Sequence, residues 1–188
     1  MQRADATTEA GRAARPAFVK VWDPLVRVFH WALVTFYAVA WITADEWDRL
    51  HDVAGYGVAA LVGLRVVWGL IGTRNARFSD FIFRPSAVVA YLKDAALFRA
   101  KRYLGHNPAG GAMVIAMLLS LAAVSATGIM MTSDAFWASE WVEEVHEIAA
   151  NLTLVLVALH LAGVVLASFE QRENLVAPMF NGMKRRDG

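Results

Sequence analysis

The chain has 188 residues, the length of one domain, but 57% of them are hydrophobic, which is more than a soluble domain carries. Lys and Arg (18) nearly balance Asp and Glu (17), and the net charge of +1 hides a separation of signs along the chain; its basic loops are explained more cheaply by orientation in a membrane than by nucleic acid. The absence of cysteine excludes disulfides, cysteine-ligated iron-sulfur clusters and covalent attachment of a c-type haem.

Residues 1–20 are rich in Ala, Thr and Arg and lack an apolar centre, so they read as a flexible tail and not as a secretory signal. Four apolar stretches follow, over approximately 24–45, 52–73, 107–132 and 143–169. Each is long enough, at about 1.5 Å rise per residue, to cross a hydrocarbon core of roughly 30 Å. Asp23-Pro24 and Asn107-Pro108 each combine a favoured helix N-cap with a proline suited to the first helical position. Between the second and third stretches, approximately 78–102, aromatic and aliphatic residues alternate with basic ones. That pattern predicts an amphipathic segment on a membrane surface, with a short helix around Ser86 to Lys101. The expected fold is all-α, an integral membrane four-helix bundle.

The charges orient this bundle. Five Lys/Arg precede Val28, seven lie between the second and third spans and four follow the last, whereas the opposite connections hold only Arg49. By the positive-inside rule both termini and the long middle loop are cytoplasmic, in a bacterial inner membrane. The other face is acidic, with Asp45, Glu46, Asp48, Asp52, Asp134, Glu140, Glu143, Glu144 and Glu147. Trp22, Trp31, Trp41, Trp47, Trp137 and Trp141 fall near span ends, where indole anchors at the interface.

Histidine is costly in a bilayer, so imidazoles in the spans ask for a bound partner. His146 and His160 are fourteen residues apart, nearly four whole turns, and so share one helix face about 21 Å apart in depth. With the expected topology, His30 comes to the depth of His160 near the cytoplasm and His51 to that of His146 near the periplasm. Each pair can supply two axial ligands to a non-covalently held haem, leaving no open iron position, as in an electron-transfer site. Interhelical hydrogen bonding is the competing reading of a single intramembrane histidine. Arg65, fourteen residues after His51, lies on the same stripe at the inner depth. It either meets a haem propionate or snorkels to the interface. His106, just before the third span, reads as interfacial, near a quinone or the inner propionates. Met130 and Met131 read as packing, and most of the glycines as close helix contacts.

The stretches VWDPLVRVFHW, HDVAGYGVAALVGLRVVWGLIGTRNARFSDF, LGHNPAGGAMV, EVHEIAANLTLVLVALHLAG and ENLVAPMFNGMKRR, between residues 18 and 186, resemble the prokaryotic cytochrome b561 family and the related cytochrome b subunit of nickel-iron hydrogenase. The hydrogenase subunits usually carry a further helix that is not seen here, which favours the shorter b561 type. The resemblance implies two b-type haems with His30, His51, His146 and His160 as ligands. It further implies electron transfer between the membrane quinone pool and a periplasmic redox partner such as a cytochrome c. The alternatives are a superoxide:quinone oxidoreductase and the membrane anchor of a hydrogenase-like oxidoreductase. Arg49 as the lone outer cation disfavours superoxide, an anion. A metal or proton transporter would need intramembrane carboxylates or broken helices, and the spans show neither.

Overall fold

The computed structural model describes residues 18–44 and 48–186, so the expectations for residues 1–17, Asp45, Glu46 and Trp47 lie outside the described residues. Helix α1 (Pro24–Ile42) begins where the Asp23 carboxylate accepts the Val26 N–H at 2.8 Å and Pro24 occupies the first turn. Helix α2 (Asp48–Ile71) returns across the bundle. A 3₁₀ turn (Phe78–Asp80) and the short helix α3 (Pro85–Ala96) form the connection to α4 (Pro108–Met131). Helix α4 repeats the same start signal, Asn107 Oδ1 accepting the Gly110 N–H at 2.7 Å ahead of a proline turn. Helix α5 (Glu140–Glu170) is the longest.

Helices α1, α2, α4 and α5, of 19, 24, 24 and 31 residues, are each long and apolar enough to cross a membrane. They leave many apolar side chains uncovered, including Leu152, Val155, Leu159 and Val165 on α5. Such surface is unfavourable in water at about 25 cal/mol per Å², but costs nothing against lipid tails of equal polarity. Neighbouring helices pack in the order α1 on α2, α2 on α4 and α4 on α5, while α1 and α5 make little direct contact. The Tyr37 hydroxyl, donating to Ala150 O at 3.4 Å, is one bridge between that outer pair.

At mid-depth the bundle is pinned by Val58, Val62 and Leu121, with Leu33 and Tyr37 packed against them. Beside this layer the buried Ser120 hydroxyl sits 2.7 Å from Thr153 Oγ1, which itself donates to Ala149 O at 2.8 Å. Interhelical bonds of this kind contribute about 0.6–2 kcal/mol in a membrane. Thr153 lies midway in sequence between His146 and His160, so this layer separates two levels of imidazole.

The ends of the described chain meet on one face. Strand β1 (Phe18–Lys20), the last part of the segment expected as a tail, pairs antiparallel with β2 (Met183–Arg185), Val19 opposite Lys184. The turn into β2 comes from the single-turn helix α6 (Pro178–Asn181) through Gly182, whose φ of +77° suits glycine. Any Cβ there would also come 2.8 Å from the Trp22 carbonyl oxygen. Arg102 fastens this clasp to the loop before α4, pairing with Glu173 at 3.0 Å and donating to Arg185 O at 2.5 Å. The clasp, α3 and the connection around it make up a basic face, and the start of α2, the α4–α5 turn and the start of α5 make up an acidic face.

Candidate functional site

His51 and His146 meet near the acidic face, their ring centroids 6.2 Å apart and their planes at 73°. His51 Nδ1 lies 2.8 Å from Ala40 O. A carbonyl only accepts, so Nδ1 donates to it and Nε2 is the ring nitrogen left uncommitted. His146 Nδ1 is likewise 3.1 Å from both Val124 O and Thr127 Oγ1. The Thr127 hydroxyl hydrogen is directed to Ala123 O at 2.8 Å, leaving its oxygen to accept from the imidazole. Both rings therefore have Nδ1 held by an acceptor and Nε2 uncommitted, the arrangement that orients metal-binding histidines. Two imidazoles sharing one metal at about 2 Å per bond place their centroids about 6 Å apart, close to the separation seen. Gly128 lets α4 approach, since a Cβ there would stand 3.2 Å from His146 Cε1.

Toward the basic face, His30 and His160 come from α1 and α5, the two helices that make little direct contact. The two are not in ring contact. Trp31 meets the His30 ring edge-on at 5.1 Å, and His30 Nδ1 is buried without a hydrogen-bond partner.

Arg65 lies at the same end of α2 and is only 4% exposed, so it does not snorkel. Its guanidinium carbon stands 5.3 Å from the Phe78 ring centroid and 5.7 Å from that of Phe81. Its Nη1 is buried with no acceptor. Among the described residues no carboxylate reaches within ion-pair distance of it. Asp23, at the start of α1, is already engaged by the Val26 N–H, Trp68 Nε1 and the Thr73 hydroxyl. Burial tends to raise the Asp23 pKa, but these donors together bring it below the ordinary carboxylate value.

His106 is packed between Trp22 and Phe81, with ring centroids 4.7 and 4.6 Å away. Burial, reinforced by Arg65, His160 and Lys184, pushes its pKa down to about 4, so the ring is neutral at ordinary pH. Its Nδ1 also lacks a partner. It lines a polar cavity of about 210 Å³ together with Arg74, Asn75, Asp80 and Tyr103. Lys184 closes the far side of this neighbourhood, donating to Tyr103 O at 2.7 Å; burial lowers its pKa while Glu173 partly restores it.

The structure thus joins His51 to His146, leaves His30 and His160 across a gap between helices, and gathers Arg65 and His106 beneath the same aromatic, Phe81. Sequence reading did not single out Thr127 or the Ala40 and Val124 carbonyls. Thr127 is an unremarkable span residue until the register of α4 against α5 is known.

Among the described residues no three His, Cys, Asp or Glu side chains converge on a metal position. Haem iron asks for only two, because the porphyrin supplies the rest. A pair of imidazoles brought together between four apolar helices fits the class of membrane cytochromes. The family model for prokaryotic cytochrome b561 matches residues 21–182, and the chain belongs to that family, as a membrane b-type cytochrome of electron transfer. No curated protein and no solved structure matches the chain.

Proposed function

We propose that the protein carries electrons between the membrane quinone pool and a periplasmic redox partner such as a cytochrome c, through two b-type haems in a bacterial inner membrane. The observation that carries this reading is the His51–His146 pair, with its 6.2 Å separation and its Nδ1 atoms tied to acceptors. In this reading His51 and His146 hold one haem near the periplasm, and His30 and His160 hold the other near the cytoplasm. Bound there, haem iron would supply one-electron chemistry, with these histidines as the protein groups that hold it.

The remaining residues orient and neutralise. Arg65 Nη1 is suited to a propionate of the inner haem, a carboxylate that would offset the cost of a buried cation. His106, neutral and with a free ring nitrogen, is placed to hydrogen-bond an inner propionate or a quinone carbonyl. The basic face is the cytoplasmic one by its loop charges. The opposite face carries Asp48, Asp52, Asp134, Glu140, Glu143, Glu144 and Glu147, which would steer a basic partner toward the outer pair.

The test is a dithionite-reduced minus oxidised spectrum of the purified protein, with haem stoichiometry by pyridine haemochrome. Two b-type haems per chain are expected, with His51→Ala and His160→Ala each retaining one, of different potential. A haem-free wild type, or a haem content unchanged by both substitutions, refutes the assignment.

A further inference from the structure

Along the outer side of α1, a groove of about 540 Å³ runs between Arg27 and Phe36 and is closed at the basic face by Met179 and Phe180 of α6. Val28, Trp31 and Ala32 are among its lining, and its length from Pro24 to Phe36 is about 18 Å at 1.5 Å per residue. Arg27 is its sole charged residue and stands at the end nearest the start of α1. The Arg27 guanidinium donates through Nη1 to Phe180 O, which holds it over the groove mouth, while its Nε is buried without a partner. No acidic side chain pairs with it among the described residues.

The neutral donors of the groove are already taken. Trp31 Nε1 donates to Met179 O at 3.2 Å and the Thr35 hydroxyl donates to Trp31 O at 2.9 Å. A neutral ring such as a quinone, which needs donors for its carbonyls, would find few here. A trench of apolar side chains one acyl chain long, ending in a lone cation at headgroup depth, matches a different chemistry. We infer that the groove binds one phospholipid with a net negative headgroup, its phosphate on Arg27 and an acyl chain along Val28, Trp31 and Phe36. This goes beyond the redox reading and stands without it. The bound lipid braces α6 against α1 beside Trp31, whose ring abuts His30.

The test is native mass spectrometry of the haem-loaded protein in neutral detergent. Either phosphatidylglycerol or phosphatidylcholine with identical chains is added. Preferential retention of one phosphatidylglycerol is expected, weakened about five-fold by Arg27→Gln and largely kept by Arg27→Lys, as one interfacial cation warrants. Arg84→Gln, on the same face but away from the groove, should leave retention unchanged. Ala32→Leu, which fills the groove and spares the charge, should expel the lipid, and serves if Arg27→Gln does not yield loaded protein. Equal retention of the two lipids, an Arg27→Gln profile like the wild type, an equal loss with Arg84→Gln, or undiminished binding to Ala32→Leu overturns the proposal.

Discussion

Replacing Arg65 with methionine should change the sign of its effect on stability according to whether haem is bound. A cation that is 4% exposed carries an effective desolvation penalty of several kcal/mol. The visible compensation is two aromatic faces at 5.3 and 5.7 Å, worth about 0.5–2 kcal/mol each. Without an anion the balance is unfavourable, so Arg65→Met, similar in volume and apolar, should stabilise haem-free protein by about 1–3 kcal/mol. With haem bound, the proposed pairing of Arg65 with a propionate makes the same substitution cost about 3–5 kcal/mol, seen as loss of one haem on dilution or a lowered melting temperature. The assay is unfolding in a mixed-detergent titration on matched haem-loaded and haem-free preparations of wild type and variant. If Arg65→Met destabilises both by the same amount, Arg65 is a packing residue and its assignment to a propionate falls.

Three further outcomes follow from the same geometry. Thr127→Val removes one of two acceptors at His146 Nδ1 but leaves the Val124 carbonyl, so outer-haem retention should fall about ten-fold, the mild end for an outer-shell partner, with the inner haem untouched; competition with apomyoglobin measures it. His106 has a folded-state pKa near 4 against an ordinary 6.5, so the unfolded chain binds the extra proton first. Stability is then full above about pH 6.5 and is lost as pH falls toward 4. His106→Phe, which keeps the stacking with Trp22 and Phe81, should flatten the melting temperature over that window, and an unchanged acid slope would contradict the burial argument. Neutralising Glu143, Glu144 and Glu147 together should slow stopped-flow reduction of a basic cytochrome c at low salt and barely alter it at high salt, where the Debye length is short.

The parts of this architecture that were legible in the sequence are those set by local chemistry. Asp23-Pro24 and Asn107-Pro108 announce α1 and α4 because capping is a matter of three or four consecutive residues, and both carboxyl and amide oxygens are found bonded as their types require. The fourteen-residue spacing of His146 and His160 fixes a shared face because helical periodicity needs no tertiary information. Arg65 was open between two readings because a sequence cannot tell a long side chain at a span end from one covered by a later loop. The covering comes from Phe78 and Phe81, in a connection that looked merely amphipathic.

What stayed hidden is everything that depends on register between helices. The acceptors for His51 and His146 are a carbonyl on α1 and, on α4, a carbonyl with a hydroxyl, eleven to twenty-two residues away in sequence. Carbonyls carry no sequence signature at all, yet they decide which imidazole nitrogen is free. Helix α4 contributes no histidine, and on ligand counting it looks like filler. By presenting Thr127, Val124 and the bare backbone of Gly128 to His146, it sets that ring's tautomer and orientation. A change on α4 that shifted its register by one residue would therefore disturb the outer pair while leaving every histidine in place. The division of labour is a physical consequence of the bundle: α1, α2 and α5 bring the imidazoles, and the helix without any holds one of them to its task.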